Sequence, residues 1–320
     1  MRRVLLVKTS SLGDVVHNLP VATDVAAAYP GVAIDWVVEE AFAAIPRMHP
    51  GIRRVLPVAL RRWRRAPWTA AVRSEWRVFV ATLRSEHYDA VIDTQGLLKT
   101  ALLMRQACGP KHGLDWASSR EPLGWFYDHT YAVPWGQHAV TRNRSLAAQA
   151  LGYALAPVVD YGLRAPAAAA DWTPPGADYA LLLHATSAER KLWPEARWLA
   201  LGAQLAARGL ITVLPWGSAA ELQRSERLAE GIAGAMVPPR LGLDPLAVLI
   251  AGARAVIGTD TGLTHLAGAL GVPTVGLYCA TEPAATGLHG CARAVNLGGV
   301  GQLPAPAEVI AALERLWSTR

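Results

Sequence analysis

The sequence has little cysteine and no long apolar run, and both scarcities restrict what the chain can be. Three cysteines stand far apart in 320 residues, at positions 108, 279 and 291. They fit free buried thiols in a reducing compartment better than a disulfide framework or a zinc site. No run of about 18 uncharged apolar residues occurs, so we expect no membrane span. The apolar run before Lys8 is too short for a secretory signal, which predicts a cytoplasmic protein.

Charge is also sparse, at 18% of residues, whereas hydrophobic residues make up 52%. This balance supplies a substantial core, and 320 residues accommodate two domains of ordinary size. The net charge of +6 is distributed unevenly. Residues 1–165 contain 20 Lys and Arg against 13 Asp and Glu, whereas residues 166–320 contain 11 against 12. The first half should therefore attract an anionic partner.

Short β-branched segments alternate with amphipathic segments along the chain, a pattern typical of parallel sheets covered by helices. A Pro- and Ala-rich stretch at positions 165–176 interrupts the alternation once. We therefore predict an α/β protein with two doubly wound domains, residues 1–165 and 166–320, whose strands point their carboxyl ends at a central cleft. The predicted strands are Val4–Val7, Ala33–Val38, Val55–Val58, Ala90–Asp93, Tyr179–Leu183, Ile211–Leu214, Ala255–Ile257 and Thr274–Leu277. The predicted helices are Val15–Ala28, Ser74–Glu86, Leu97–Ala107, Pro194–Ala207, Glu221–Ala233, Pro245–Gly252, Leu263–Leu270 and Pro306–Trp317.

The first predicted strand runs directly into the polar turn 8–14, at the sheet edge where open α/β folds bind ligands. The turn lacks the G-x-G-x-x-G spacing of a dinucleotide site. Its one carboxylate, Asp14, is a candidate general base, or else an aspartate that stabilises a helix N-terminus. Gln95 follows another strand at the same edge. Taken alone, the turn is either an anion cradle or a catalytic edge.

In the second half, the segment 258–267 contains the end of a predicted strand and the start of the next helix. Hydroxyls and backbone N–H groups are concentrated at this helix start. A helix N-terminus attracts phosphate through these groups and through its dipole. Asp260 would repel phosphate, so it is predicted to orient the loop or to bind a sugar hydroxyl. His265 falls one turn into the helix. A capped helix with a buried histidine is the equally weighted alternative.

Two further strand ends of this half are polar. Thr186 and Ser187 offer hydroxyls to phosphate oxygens, and Lys191 offers a point charge. Glu221 suits a ribose diol, although a first-turn glutamate favoured by the helix dipole is the better explanation of this residue taken alone. The prediction of a nucleotide pocket depends on the convergence of these strand ends.

A basic cluster in the first half comprises Arg61, Arg62, Arg64 and Arg65, with Trp63, Trp68 and Trp76 nearby. These arginines could bind phosphates while the tryptophans lie at a membrane interface. A solvated basic loop is the alternative. Nucleic acid is not an expected partner, because the cluster is local and no nucleic-acid-binding motif accompanies it.

Five segments together resemble glycosyltransferase family 9, the ADP-heptose transferases of lipopolysaccharide synthesis. The resemblance extends in order and at matching spacing from Met1 to at least Pro283. It implies a GT-B fold, with two Rossmann-like domains facing a central cleft and a last helix that often packs back on the first domain. The segments are 8–17, 35–40, 61–64, 88–93 and 260–266.

The resemblance implies an inverting transfer of L-glycero-D-manno-heptose from ADP-heptose to the first Kdo of Kdo2-lipid A, in the lipopolysaccharide inner core. It implies no metal or other cofactor, and a peripheral location at the anionic cytoplasmic face of the inner membrane. An enzyme that adds the second heptose is the nearest alternative. A non-catalytic module that binds nucleotide-sugar or anionic lipid, and a two-domain nucleotide-sugar epimerase, are alternatives from other classes.

Asp14 matches the catalytic base proposed for the family. Two donor positions differ from the family pattern, since Ser187 stands for threonine and Leu241 for methionine, with the hydroxyl and the apolar wall retained. No D-x-D metal pair is evident, so Lys191 and the helix start are expected to stabilise the diphosphate. The implied donor-binding residues are Thr186, Ser187, Lys191, Glu221, Leu241, Asp260, Thr261, Gly262, Leu263 and His265. The expected acceptor-binding residues are Ser10, Ser11, Gly13, Arg61, Arg62, Arg64, Gln95 and Arg120.

Overall fold

The computed structural model describes residues 1–166, 172, 174, 178–186 and 188–318. The chain divides into two compact units, Met1–Arg164 and Ala165–Arg320. Each unit contains a parallel sheet with helices packed around it, so the α/β class with two Rossmann-like sheets is confirmed. No helix within the described ranges is both long enough and apolar enough to cross a bilayer.

The first unit contains a six-stranded sheet of order β3-β2-β1-β4-β5-β6, the strand order of dinucleotide-binding folds. Its central strand is buried along residues 4–7, as its unbroken apolar run predicts. The strands are β1 (Arg3–Val7), β2 (Ala33–Glu39), β3 (Ile52–Val58), β4 (Ala90–Asp93), β5 (Lys111–Leu114) and β6 (His129–Tyr131). The helices are α1 (Leu12–Val16), α2 (Leu19–Ala28), α3 (Ala44–Arg47), α4 (Leu60–Trp63), α5 (Ala70–Arg84), α6 (Leu98–Met104) and α7 (Ala139–Leu151).

The second unit contains a five-stranded sheet of order β11-β10-β9-β7-β8, the flavodoxin-like order. Its strands are β7 (Tyr179–Leu183), β8 (Ile211–Val213), β9 (Ala255–Thr259), β10 (Thr274–Tyr278) and β11 (Ala294–Gly298). Its helices are α8 (Glu195–Ala206), α9 (Ala219–Glu230), α10 (Leu243–Ala251), α11 (Gly262–Ala269), α12 (Pro283–Thr286) and α13 (Pro306–Ser318). Within this unit, α13 packs against α8 and β10 and buries Val309 and Leu313 in the core.

A buried ion pair joins α2 to α7. Arg144 Nε lies 2.7 Å from Asp24 Oδ2, and the two side chains are only 6% and 7% exposed. A second guanidinium nitrogen, Nη2, donates to Asp24 Oδ1 at 3.0 Å and to two carbonyl oxygens. The pair is therefore bidentate and further hydrogen-bonded to backbone carbonyls, and such geometry helps two buried charges to be tolerated.

Several sequence predictions were wrong in detail. The single helix predicted over residues 15–28 is two helices, and the second carries Pro20 in its first turn, a position that suits proline. Strands β5, β6 and β11 and helix α7 were not predicted. The three cysteines form no disulfide, but Cys108 is exposed rather than buried.

Candidate functional site

The turn after β1 is fixed to the end of β4 by hydrogen bonds. The buried Lys8 donates from Nζ to the carbonyl oxygen of Thr94 at 2.7 Å. The backbone N–H groups of Thr9 and Ser10 both donate to Gln95 Oε1 at 3.1 Å. Gln95, expected to contact an acceptor, therefore also holds the turn that carries Asp14.

Asp14 lies half-buried in the first turn of α1. Its Oδ2 accepts hydrogen bonds from the Ser11 backbone N–H at 2.7 Å and from the Ser11 hydroxyl at 3.0 Å. No residue in the described part of the chain donates a hydrogen bond to its Oδ1. One carboxylate oxygen thus fixes the side chain, and the other can accept a proton. Gly13, beside Asp14 on α1, is also half-buried.

Charged groups of both signs affect the buried Lys8 in this turn. Burial lowers the pKa of Lys8, the carboxylates of Asp14 and Asp93 oppose that shift, and Arg120 and Arg142 add to it. Burial raises the pKa of Asp93 against the hydrogen bonds that it accepts from neighbouring backbone and side-chain groups. Arg120, an expected acceptor-binding residue, is exposed, and its charge contributes to lowering the pKa of Lys8.

A cavity of about 460 Å³ extends from Ser10 along α4 and α5. Two of the predicted arginines, Arg61 and Arg64, line it, together with Arg73 and Lys99. Lys99 Nζ donates to the Ser10 hydroxyl at 2.8 Å. Sequence reasoning missed Arg73 and Lys99, because only the packing of α5 and α6 onto the sheet places them here.

Two members of the predicted basic cluster have other surroundings. Arg62 forms ion pairs with Glu40 at 3.0 Å and with Glu75 at 2.8 Å, and the hydrogen bonds that it donates to these carboxylates raise its pKa. The predicted position of Trp63 at a membrane interface is wrong. Trp63 is 8% exposed, packs edge-on against Trp76 at 6.0 Å, and donates its indole N–H to Glu75.

In the second unit, Asp260 at the end of β9 is the centre of a polar network. Its Oδ2 accepts hydrogen bonds from Lys191 Nζ at 2.6 Å and from the Thr281 hydroxyl at 2.8 Å. His265 Nε2 lies 3.5 Å from Oδ1. Burial opposes ionisation of Asp260, but its three partners outweigh burial and hold its pKa below the usual range. The network keeps a cation and a histidine beside the start of α11.

The start of α11 follows this network directly. Thr261 is the N-cap residue, and Gly262 and Leu263 form the first turn, all of them half-buried. The first N–H groups of a helix have no partner within the helix, so they can bind an anion. His265 lies one turn further and is buried, which is the arrangement that the alternative of a capped helix supposed.

The other predicted donor residues occupy neighbouring strand ends. The Thr186 hydroxyl donates to the Asp260 carbonyl oxygen at 3.1 Å, which joins it to the network. Glu221 lies on α9 and accepts from the Gly217 N–H at 2.7 Å, and Leu241 is half-buried before α10. Within the described ranges, neither hydrogen-bonds to the Asp260 network. Ser187 lies outside the described residues.

Sequence reasoning also missed the roles of Thr281 and His184 in this unit. His184 is fully buried, and its Nε2 lies 2.8 Å from the Ser225 hydroxyl on α9. Burial lowers the pKa of His184 to about 4, so the imidazole is neutral at pH 7. The pairing ties β7 to the helix that carries Glu221. Over the residues that the structure describes, no group of three His, Cys, Asp or Glu side chains is arranged to hold a metal ion.

The chain is similar to known proteins over most of its length. The family model described as glycosyltransferase family 9 (heptosyltransferase) matches residues 76–308. Lipopolysaccharide heptosyltransferase 1 of Pseudomonas aeruginosa is 54% identical over 300 residues, which cover 92% of this chain and 83% of the relative. The protein of the same name from Escherichia coli is 46% identical over 291 residues, which cover 90% and 91%. The solved structure of E. coli heptosyltransferase WaaC with ADP matches with a TM-score of 0.90 and 42% identity, over 98% of this chain and 99% of that chain. The structure of the same enzyme with ADP-2-deoxy-2-fluoro heptose matches with a TM-score of 0.85 and the same identity and coverage.

Proposed function

Since the chain belongs to glycosyltransferase family 9, the heptosyltransferases, we propose that it transfers L-glycero-D-manno-heptose from ADP-heptose to the first Kdo of Kdo2-lipid A. It has the GT-B fold, with a Rossmann-like sheet in each unit. The names of the related enzymes and the ADP-heptose analogue in a matching structure support a role in lipopolysaccharide core synthesis. The observation that carries the proposal is Asp14, held through one oxygen at the end of β1.

In the proposed reaction, Asp14 acts as the general base for the acceptor. The acceptor hydroxyl oxygen attacks the anomeric carbon of heptose while the bond from that carbon to the diphosphate breaks. The hydroxyl proton passes to Asp14 Oδ1, and ADP leaves from the opposite face, which inverts the anomeric configuration. Hydrogen bonds from Ser11 to Oδ2 support this role, because they fix the direction of the carboxylate.

The donor diphosphate is proposed to bind at the start of α11 and at Lys191. The N–H groups after Thr261 supply hydrogen bonds, and the ammonium of Lys191 supplies the positive charge for a metal-independent reaction. Lys191 forms an ion pair with Asp260, so donor binding would shift the ammonium toward phosphate while the Thr281 hydroxyl continues to donate a hydrogen bond to Asp260. Glu221 is proposed to bind the ribose diol. Its carboxylate lies in the first turn of α9 and can accept hydrogen bonds from the two hydroxyls.

The acceptor is proposed to bind to the first unit, where the cavity beside Ser10 carries four cations, Arg61, Arg64, Arg73 and Lys99. Kdo carboxylates and lipid A phosphates are anionic, and these side chains complement them in charge. The same charges would attract the enzyme to the anionic cytoplasmic face of the inner membrane. A peripheral location is therefore part of the proposal.

The test is incubation of the purified protein with ADP-heptose and either Kdo2-lipid A or the same lipid already carrying one heptose. We expect release of ADP and a product heavier by one heptose only with the first acceptor. Turnover confined to the second acceptor would identify the protein as the enzyme for the second heptose. Binding of ADP-heptose without any product from a folded protein would leave only a nucleotide-sugar binding module.

A further inference from the structure

Large apolar side chains are exposed along one stretch of the first unit. Together they form what we call the aromatic patch: Leu98, Leu102, Trp116, Trp125 and Trp135 are 47%, 50%, 52%, 82% and 51% exposed. Isolated exposed apolar residues are ordinary, but five within 38 positions of the sequence form a feature that needs a reason.

The loop that carries the tryptophans is braced. The rings of Trp116 and Trp125 pack edge-on with centroids 5.9 Å apart. Gly124 makes this possible, because a Cβ there would lie 2.5 Å from the Trp116 indole nitrogen. Trp135 donates its indole N–H to the Ala117 carbonyl oxygen at 2.6 Å. The exposed rings are therefore held in place.

Helix α6 connects the patch to the proposed acceptor edge. Leu98 and Leu102 are one turn apart and lie on the same helix face. The Leu98 N–H donates to Glu121 Oε2 at 2.6 Å, which ties α6 to the tryptophan loop. The next residue, Lys99, donates to the Ser10 hydroxyl at 2.8 Å. The patch is thus continuous with the turn where the acceptor is proposed to bind.

The sequence around the patch has a small excess of positive charge, since residues 98–135 contain Lys99, Arg105, Lys111 and Arg120 against Asp115, Glu121 and Asp128. Lys99, Arg105 and Arg120 are exposed on the same helix and loop. The nearby carboxylates accept backbone hydrogen bonds, Glu121 from α6 and Asp115 from Ser118 at 2.9 Å. Tryptophan is enriched at membrane–water interfaces, where its ring meets acyl chains and its N–H meets headgroups, and cations add attraction to anionic lipid.

We propose that the aromatic patch inserts into the interfacial layer of an anionic phospholipid membrane and presents the acceptor edge to a lipid-borne sugar. This inference rests on the proposed function, which supplies the reason why a membrane should cover the patch. An acceptor anchored in a bilayer can be reached only at the bilayer surface. Arginines of the 61–77 stretch supply salt-sensitive attraction, whereas the patch supplies an apolar component that salt does not screen.

The experiment measures binding to phosphatidylethanolamine/phosphatidylglycerol vesicles that contain no sugar acceptor. At about 1 M salt, where charges are screened beyond about 3 Å, wild type should keep a measurable fraction of its binding. The double variant Trp125→Ser/Leu102→Ser should bind at least ~10-fold more weakly under those conditions, because it removes two half-inserted apolar side chains. Val158→Ser, which removes an apolar side chain 71% exposed outside the patch, should bind like wild type.

Heptose transfer to a deacylated, water-soluble acceptor separates the two proposals. The double variant should match wild type with this acceptor and be slower when the acceptor is embedded in vesicles. Vesicle binding unchanged in the double variant, or lost equally in Val158→Ser, would overturn the membrane assignment. A dimer that the double variant converts to a monomer, with vesicle binding intact, would identify the patch as an interface between copies of the chain. Failure of wild type on both the soluble and the vesicle-embedded acceptor would refute the proposed function while leaving the vesicle-binding result standing.

Discussion

Replacement of Asp260 by asparagine should destabilise the second unit in a pH-dependent manner. The carboxylate is 9% exposed and bonds to Lys191 at 2.6 Å and to Thr281 at 2.8 Å, with His265 at 3.5 Å. Hydrogen bonds to charged groups contribute roughly 1.5–3 kcal/mol each, and an asparagine oxygen retains one neutral bond. The variant also leaves Lys191, only 21% exposed, without its counter-ion. We therefore expect the free energy of unfolding at neutral pH to fall by roughly 2–4 kcal/mol.

The pH dependence follows from the lowered pKa of Asp260. A carboxyl group whose pKa is lower in the folded state stabilises the fold above its unfolded value of about 3.9, and this contribution disappears as pH falls through the folded value. The stability difference between wild type and Asp260→Asn should thus be largest near neutrality and shrink below about pH 4.

Urea unfolding followed by tryptophan fluorescence at several pH values measures this difference. Asp244→Asn is the matched control, because Asp244 is exposed in the first turn of α10 and should contribute less than about 1 kcal/mol through the helix dipole. The reasoning would be refuted by an Asp260→Asn variant as stable as wild type at neutral pH. A stability difference that grows on acidification would refute the assigned sign.

Three further predictions concern the proposed chemistry and the core. Asp14→Asn should lower kcat by about 10²–10⁴-fold while calorimetry finds donor affinity unchanged, and near-normal turnover would exclude Asp14 as the base. Lys191→Ala should weaken ADP-heptose binding by about 10–100-fold, as expected for the loss of a charged hydrogen bond. Arg190→Ala, which removes the exposed neighbouring cation, should leave donor affinity unchanged. Equal losses in the two variants would indicate a diffuse electrostatic field instead of a direct contact. Arg144→Ala should cost roughly 3–5 kcal/mol in chemical denaturation because it leaves Asp24 buried and unpaired, and a loss under about 1 kcal/mol would mean that water reaches the site.

The sequence predicted the buried strands well because their signal is local. Residues 4–7 and 179–183 are continuous apolar runs, and each proved to be an interior strand of its sheet, with a neighbour on both sides. The runs 111–114 and 129–131 were missed, since histidine, glycine and lysine interrupt them and neighbouring strands rather than their own composition hold them in the sheet. Propensity contains no information about a strand that pairing alone stabilises.

The polar strand ends were also predictable, because the turn that follows a buried strand must lie at the sheet edge. Thr186, Lys191, Asp260 and His265 were predicted to converge, and the first three are joined by hydrogen bonds. The position of Trp63 was not predictable. A tryptophan between arginines suggests a residue at a membrane interface, yet the packing of α4 against α5 buries Trp63 against Trp76.

The sequence by itself determined the two α/β halves, the family and the identity of the polar groups at the strand ends. These features depend on periodicity and motif spacing, which are local properties of the sequence. Only the tertiary structure decided how those groups are partnered. Ser11 orients Asp14, Thr281 completes the bonds of Asp260, and Lys99 reaches Ser10 from 89 positions away. Such contacts depend on how helices pack over a sheet, and packing geometry is a property of the whole fold and not of any segment.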